Sequence, residues 1–292
     1  MSLASLFSPR GIAIVGASDN AKKFGGLTLE NLIAGGFAGN IVPVNPARDV
    51  VMDRKAYPSV AAIPHDVAVD IVTVCAPKHF VPGILEETAA RKTPFLMVMS
   101  GGYGEQGAEG AAQERALVAR ARELGVRIVG PNLLGLASTP NSLLLNASLA
   151  MREVPRRVGG VSLVGQSGAS MGVLFNRGAR EGVRYQHVIA LGNQSDLEIS
   201  ELISFYARDP GTRVVITSIE GLKNPDGFLA ATAACRAAGK PLIAVKAGRT
   251  QEGARVAATH TGSMASGYTG FAAKLESEGV ILVQDELSMM RL

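Results

Sequence analysis

The chain has no tryptophan, only two cysteines, and charged residues make up just 18% of its 292 positions. Cys75 stands in an apolar strand-like stretch and Cys235 in an Ala-rich helical one, so both read as small buried hydrophobes of a reducing compartment. Neither a disulfide nor a metal site is expected from them. Long hydrophobic runs are also missing: residues 71–76 and 95–99 fall far short of the ~20 apolar residues a membrane helix needs. The first ten residues have no basic start and no extended apolar region, so they are unlike a secretory signal, and the cytoplasm is the expected location. No basic run is interleaved with aromatics, so a nucleic-acid surface is not expected.

What is present is apolar and regular. A hydrophobic content of 47% excludes a disordered chain and is enough for two ordinary cores. The net charge of +4 comes from dispersed Lys and Arg and suits a small anionic ligand such as a phosphate.

Short Val/Ile-rich strands alternate with Ala/Leu/Glu-rich helices, the pattern of βαβ units and parallel sheets. In the first half, strands are expected at 11–15, 41–44, 69–75, 95–99 and 126–129, with helices at 27–34, 81–90 and 108–124. Gly35-Gly36 and Gly125 follow two of these helices, where the chain must turn left-handed. Between 137 and 160 the alternation lapses into Ser, Thr, Pro, Asn and Arg, and a domain boundary is expected there, giving domains of 1–147 and 148–292. The second series has expected strands at 161–164, 185–191, 214–219, 242–246 and 280–283. Its helices are expected at 169–180, 197–207, 225–238 and 268–277. The fold class is α/β, with two doubly wound domains in tandem.

In such sheets ligands bind beyond the carboxyl ends of the strands, near the point where strand order reverses. The first strand ends in Val15-Gly16-Ala17-Ser18 and lacks the G-x-G-x-x-G dinucleotide fingerprint, which disfavours a plain NAD site. The longer loop up to Phe24 offers backbone N–H groups, the Ser18 hydroxyl and Lys22 or Lys23 to phosphates at the start of the next helix. A tight turn needing only small residues would look the same. Asn45-Pro46-Ala47-Arg48, Pro77-Lys78 and Ser100-Gly101 end the following strands and converge on the same crevice. Arg48 is suited to a ribose-linked phosphate, because its fork can take two oxygens at once.

In the second half Gly165-Gln166-Ser167-Gly168-Ala169 lies between a strand and a helix, where unpaired N–H groups and the positive helix end form an anion cradle around Gln166, Ser167, Gly168 and Ala169. His260 lies in Ala257-Ala258-Thr259-His260-Thr261-Gly262-Ser263, a small-residue loop that leaves room for a reacting group. An imidazole titrating near neutrality can attack phosphorus, and Glu220, at the end of a strand, is its candidate carboxylate partner.

Taken together and in this order, these motifs resemble one family. The start Ser8-Pro9-Arg10, Val15-Gly16-Ala17-Ser18, Pro43-Val44-Asn45-Pro46, Ser100-Gly101-Gly102-Tyr103-Gly104-Glu105, Gly130-Pro131-Asn132, Gln166-Ser167-Gly168, Gly192-Asn193-Gln194-Ser195-Asp196 and His260-Thr261-Gly262 are similar to the α-subunit portion of succinyl-CoA synthetase. They are closer still to the nucleoside-diphosphate-forming acyl-CoA synthetases. The resemblance implies a Rossmann-like domain that binds coenzyme A and a flavodoxin-like domain whose His260 is transiently phosphorylated, hydrogen-bonded by Glu220 and faced by the helix after Gln166-Ser167-Gly168. It implies an acid–CoA ligase reaction in which a small carboxylic acid, CoA and ATP give acyl-CoA, ADP and phosphate. Nothing in the sequence resembles the ATP-grasp domain that phosphorylates the histidine in this family. ATP/ADP with Mg2+ is therefore expected on a β-type subunit or further domain, and the chain is expected to work in an oligomer.

Two departures stand out: Leu133 where relatives commonly have cysteine, and Ala47-Arg48 where a lysine usually follows Asn-Pro. Other readings remain open at this level. One is a regulatory or acetyltransferase-associated CoA-binding protein without ligase activity. Another is a serine hydrolase using Ser167, one of Asp196, Asp209 or Asp226, and His260, although Gly168-Ala169 does not make the G-x-S-x-G elbow.

Overall fold

The computed structural model describes residues 2–152, 157–248, 268–285 and 288–289. His260 lies outside the described residues. After a short helix α1 (Ala4–Phe7) come β1 (Gly11–Val15), α2 (Phe24–Gly35), β2 (Asn40–Val44), the two-residue strands β3 (Val50–Val51) and β4 (Arg54–Lys55), and β5 (Ile71–Val74). They are followed by α3 (Val81–Ala90), β6 (Phe95–Val98), α4 (Ala108–Glu123) and β7 (Arg127–Val129). The strands form a five-stranded, wholly parallel sheet in the order β2-β1-β5-β6-β7, with β3 and β4 in a separate hairpin. Every residue of β5 and β6 is buried. This is why these strands, Ile-Val-Thr-Val and Phe-Leu-Met-Val, read as short and almost wholly apolar runs: helices cover both faces of a parallel sheet.

The second series runs β8 (Gly135–Ser138), β9 (Leu143–Asn146), β10 (Val161–Gly165), α5 (Gly168–Arg180), β11 (Tyr185–Ala190), α6 (Ile199–Arg208), β12 (Val214–Ile219), α7 (Pro225–Ala237), β13 (Leu242–Lys246), α8 (Tyr268–Ser277) and β14 (Ile281–Val283). Its sheet has seven strands in the order β14-β13-β12-β10-β11-β8-β9. The part from β14 to β11 is parallel, and β8 and β9 are added antiparallel at one edge. Counted along the chain, the parallel strands of both sheets follow the order 2-1-3-4-5, so strand order reverses beside β1 and again beside β10.

Helix ends follow their local chemistry. Gly36, with φ of 81°, closes α2 in the left-handed conformation. Ser167 caps α5 by accepting from the Ser170 N–H at 3.2 Å, and Asn224 caps α7 from the Gly227 N–H at 2.8 Å ahead of Pro225.

Residues 137–146, read from sequence as part of a lapse in structure, instead contribute to β8 and β9. This pair, on the N-terminal side of the expected boundary at 147, hydrogen-bonds into the second sheet. Its physical reason is Leu143, Leu144 and Leu145, all buried. Burying each such side chain contributes about 1.5–3 kcal/mol, and exposed linkers do not carry three in a row. Helix α2 of the first half packs on β9, where Asn31 Nδ2 donates to the Asn146 carbonyl at 2.9 Å. One hydrophobic cluster runs through both halves, from Ile12, Leu29 and Met97 to Leu145, Ile189 and Phe228. The two crevices are thereby fixed relative to each other.

Candidate functional site

The first crevice forms where β1 hands over to α2. Gly16 holds φ of 84°, and its N–H donates to Val44 at 3.0 Å. A Cβ on Gly25 would come within 2.0 Å of the Gly16 carbonyl oxygen, so the helix start abuts the turn and only glycine fits. No side chain caps α2. Its first-turn N–H groups are thus available to an anion, with the positive end of the helix behind them.

The loop between these elements is built by its own polar groups. Ser18 Oγ accepts from the Asn20 N–H at 3.1 Å, and Asn20 Oδ1 accepts from the Lys22 N–H at 2.9 Å, which leaves the Lys22 side chain exposed. Asn45 Nδ2 donates to the Ala17 carbonyl at 2.8 Å and Asn45 Oδ1 accepts from the Ala47 N–H at 2.9 Å, fixing the turn that carries Pro46 and Arg48. Arg48 is exposed and lies 3.3 Å from Asp19. Pro77 follows β5, and Ser100 Oγ donates to the Ala76 carbonyl, pinning the ends of β5 and β6 together.

Gly16, Ala17, Ser18, Asn45, Pro46, Pro77, Ser100 and Gly101 therefore end four neighbouring strands at one edge of the sheet. Lys78, expected from sequence at the same crevice with Pro77, is engaged by its own domain. Its ammonium donates to the Gly102 carbonyl at 2.6 Å and to Gln113 Oε1 at 3.1 Å, over the ring of Tyr103.

The second crevice forms where β10 hands over to α5. Ser167, Gly168 and Ala169 line a pocket of about 280 Å3 together with Glu220. Its opposite wall comes from the first half: Phe24 at the start of α2, Met99 after β6, and Asn132. The carboxyl end of the first sheet and the start of α5 in the second thus open into the same space.

Gln166 points differently from its neighbours. It is 5% exposed, and its Oε1 accepts from the N–H groups of Glu220 at 2.7 Å and Gly221 at 3.1 Å. Lys246, at the end of β13, donates to the carbonyls of Glu220 at 2.8 Å and Ala247 at 2.7 Å. Burial pulls the Lys246 ammonium below its usual range, against the opposing pull of Glu220.

A polar seam joins the two loops behind the pocket. Asn193 Nδ2 donates to Glu105 Oε2 and Glu114 Oε2, both at 2.7 Å. Glu114 also accepts from the Gly104 N–H at 3.0 Å and the Ser195 hydroxyl, with Lys223 at 3.7 Å. Burial would raise the Glu105 carboxyl, yet hydrogen bonds from Asn193 and the Gly102 and Tyr103 N–H groups hold it below the usual range. Asp196 is bound by Arg127 at 2.7 Å, Arg122 at 3.3 Å and the Ile128 N–H at 3.0 Å. Sequence motifs 100–105 and 192–196 therefore meet each other, which no local pattern indicated.

Sequence reasoning missed Lys223, which lines the pocket, and Lys246. Lys246 alone left a trace, as a cation ending an otherwise apolar strand. Of the groups invoked for a serine hydrolase, Ser167 caps α5, Asp196 holds two arginines, and Asp209 accepts from the Thr212 hydroxyl at 2.6 Å. Among the described residues, no cluster of His, Cys, Asp and Glu could hold a metal ion, and no helix is long and apolar enough to cross a membrane.

Comparison with known proteins agrees with this architecture. Residues 10–139 match the family model of a CoA binding domain, and residues 158–292 that of a succinyl-CoA ligase like flavodoxin domain. The chain is 35% identical over 285 residues to the α subunit of acetate–CoA ligase [ADP-forming] I of Pyrococcus furiosus, covering 96% of this chain and 60% of that one. It is also 35% identical over 276 residues to acetate–CoA ligase [ADP-forming] I of Archaeoglobus fulgidus, covering 94% of this chain and 39% of the relative. Among solved structures, the dinucleotide forming acetyl-coenzyme A synthetase 1 of Ca. Korarchaeum cryptofilum, in complex with phosphate and ADP, superposes with a TM-score of 0.90 at 32% identity. That match covers 97% of this chain and 60% of the other. The chain thus spans at most 60% of these relatives' lengths.

Proposed function

Because the chain belongs to the family of ADP-forming acyl-CoA ligases, as their α-subunit-like portion, we propose that it binds CoA at the first crevice and carries the transferable phosphoryl group at the second. The single observation that supports this most is the shared pocket, lined together by the uncapped start of α2, the N-terminus of α5 and Glu220. The donor set suits CoA. Backbone N–H groups at α2, with exposed Lys22 and Arg48, match a pyrophosphate and a ribose phosphate, and the wall of Phe24 and Met99 suits the uncharged thiol arm.

The reaction balances in three transfers. His260 accepts the terminal phosphoryl group of ATP and releases ADP; the acid's carboxylate takes that group from His260 to become an acyl phosphate; the thiol of CoA then displaces phosphate to give acyl-CoA. The helix α5 N-terminus stabilises the phosphoryl charge, and the Glu220 carboxylate orients the ring of His260 and balances positive charge on it. The nucleotide and its Mg2+ belong to an ATP-grasp subunit or domain, with which this chain assembles in the cytoplasm. The acid is a small carboxylic acid.

Mixing the chain with the ATP-grasp polypeptide of the same organism, CoA, ATP and a panel of small acids tests the proposal. Acyl-CoA and ADP formed in equal amounts, only with both proteins present, are expected. CoA binding without synthesis from any acid would favour the regulatory reading instead.

A further inference from the structure

The two peptide units that flank the Cα of Glu220 are held by side chains that follow or end the neighbouring strands. On one side Gln166 Oε1 takes the N–H of Glu220, and on the other Lys246 Nζ takes the Glu220 carbonyl oxygen. The registers explain how they reach it: β12 lies between β10 and β13, with Gly165 opposite Ser218 and Ile219 opposite Lys246. The residue that follows β12 is therefore flanked by the last residue of β13 and the first residue after β10. Water could satisfy the same two backbone groups at an ordinary strand end. Here a nearly buried amide and a half-buried ammonium do so. Ordering two long side chains costs conformational entropy, and the ammonium loses hydration as well. Those costs buy a fixed backbone at residue 220, which lines the pocket.

We propose that Gln166 and Lys246 are positioning residues for Glu220, acting together as a clamp on the two peptide units beside its Cα that sets where its carboxylate stands. The inference rests on the reading of Glu220 as the partner of a phosphorylated histidine. It gives the glutamine of Gln166-Ser167-Gly168 a role apart from the anion cradle, since its oxygen accepts N–H groups of the β12 turn. Lys246 does not touch the phosphoryl group in this account. It acts only through Glu220.

The test is a double-mutant cycle on the complete enzyme, this chain with its ATP-grasp partner, reading the single-turnover rate of phosphoenzyme formation from labelled ATP. A displacement on the order of 1 Å at a reacting centre costs about a hundredfold, which is the slowing expected for Lys246→Met and for Gln166→Leu. CoA affinity should stay within about twofold for Lys246→Met, because Lys246 does not line the pocket that the two crevices share. Lys246→Arg should restore most of the rate, since a guanidinium can serve both carbonyls, and Gln166→Glu should retain an acceptor for the two N–H groups. In a Glu220→Ala background, Lys246→Met should add less than about twofold, because residues acting through one group are not additive. A full additional loss in that background would overturn the proposal, as would wild-type rates in both single variants. If Lys246→Met does not fold, judged by thermal unfolding, Gln166→Leu carries the same cycle. If Glu220→Ala alone keeps the wild-type rate, the reading of Glu220 fails and the clamp falls with it; if Glu220→Ala is slow and both clamp variants are fast, only the clamp falls.

Discussion

Asn193 donates its side-chain amide to Glu114 at 2.7 Å, tying the loop after β11 to helix α4 of the first sheet. The same amide reaches Glu105 at 2.7 Å, and Glu114 is 8% exposed. Hydrogen bonds to charged, buried acceptors contribute about 1.5–3 kcal/mol, so Asn193→Ala should destabilise by that amount in denaturant unfolding. Asn193→Asp should destabilise more, because it sets a third carboxylate beside two others. Unchanged stability in both variants would show that the seam holds nothing together.

The contact between Gly25 and Gly16 sets the shape of the first crevice. Gly25→Ala places a methyl group 2.0 Å from a carbonyl oxygen that belongs to the strand turn, where nothing flexible can move aside. Overpacking of this kind costs about 1–3 kcal/mol, and the helix start must shift away from β1. The melting temperature should fall, and CoA affinity measured by calorimetry should fall with it. Wild-type CoA binding in the variant would separate the crevice from the ligand.

The three lysine and arginine candidates should divide by what they touch. Lys22 is exposed, and Arg48 has only an exposed partner in Asp19, so Lys22→Ala and Arg48→Ala should weaken CoA binding without loss of stability. Lys78 braces the Gly102 carbonyl and Gln113, so Lys78→Met should lower the melting temperature and change CoA affinity less. Calorimetry and thermal unfolding on the same samples check both halves, and the reverse division would contradict the placement.

Much of this division was hidden from the sequence for a physical reason. Strands such as β1, β12 and β13 were legible because parallel strands bury both faces and so announce themselves as Val/Ile runs. The strands β8 and β9 were not, because Pro140, Asn141 and Ser142 between them look like a linker, although Leu143 to Leu145 are core. Gly16, Ser167 and Glu220 could be placed because ligand sites follow strand ends in any doubly wound sheet. What Gln166, Asn193 and Lys78 do depends on partners 24 to 88 residues away, across strands and between sheets. Composition and spacing carry no record of such pairings.

His187 gives the fold a pH dependence of its own. It is buried beside Phe7 and Tyr206, 3.1 Å from Ser138 Oγ, and 3.6 Å from Asp209. Burial holds the imidazole below its usual range, and Asp209 offsets this only in part. An imidazole with a lower value when folded takes a proton more readily when unfolded, so its stabilising contribution is present above about pH 6.5 and is lost as pH falls through the folded value. Stability from denaturant unfolding should therefore decline below about pH 6.5 more steeply in the wild type than in His187→Phe. Parallel curves for the two proteins would remove His187 as the cause.

The most direct measurement follows label from ATP into the protein. Incubating this chain and its ATP-grasp partner with ATP labelled at the terminal phosphate should give an acid-labile, base-stable phosphoprotein, as a phosphoramidate behaves, with the label mapped to His260. His260→Ala should abolish labelling and acyl-CoA synthesis while CoA binding at the first crevice stays intact. Glu220→Gln should keep the fold and slow labelling by about 10²–10⁴-fold, the usual cost of losing one such charge-balancing interaction. Labelling of His260→Ala at the wild-type level, or full ligase activity without that histidine, would contradict the account.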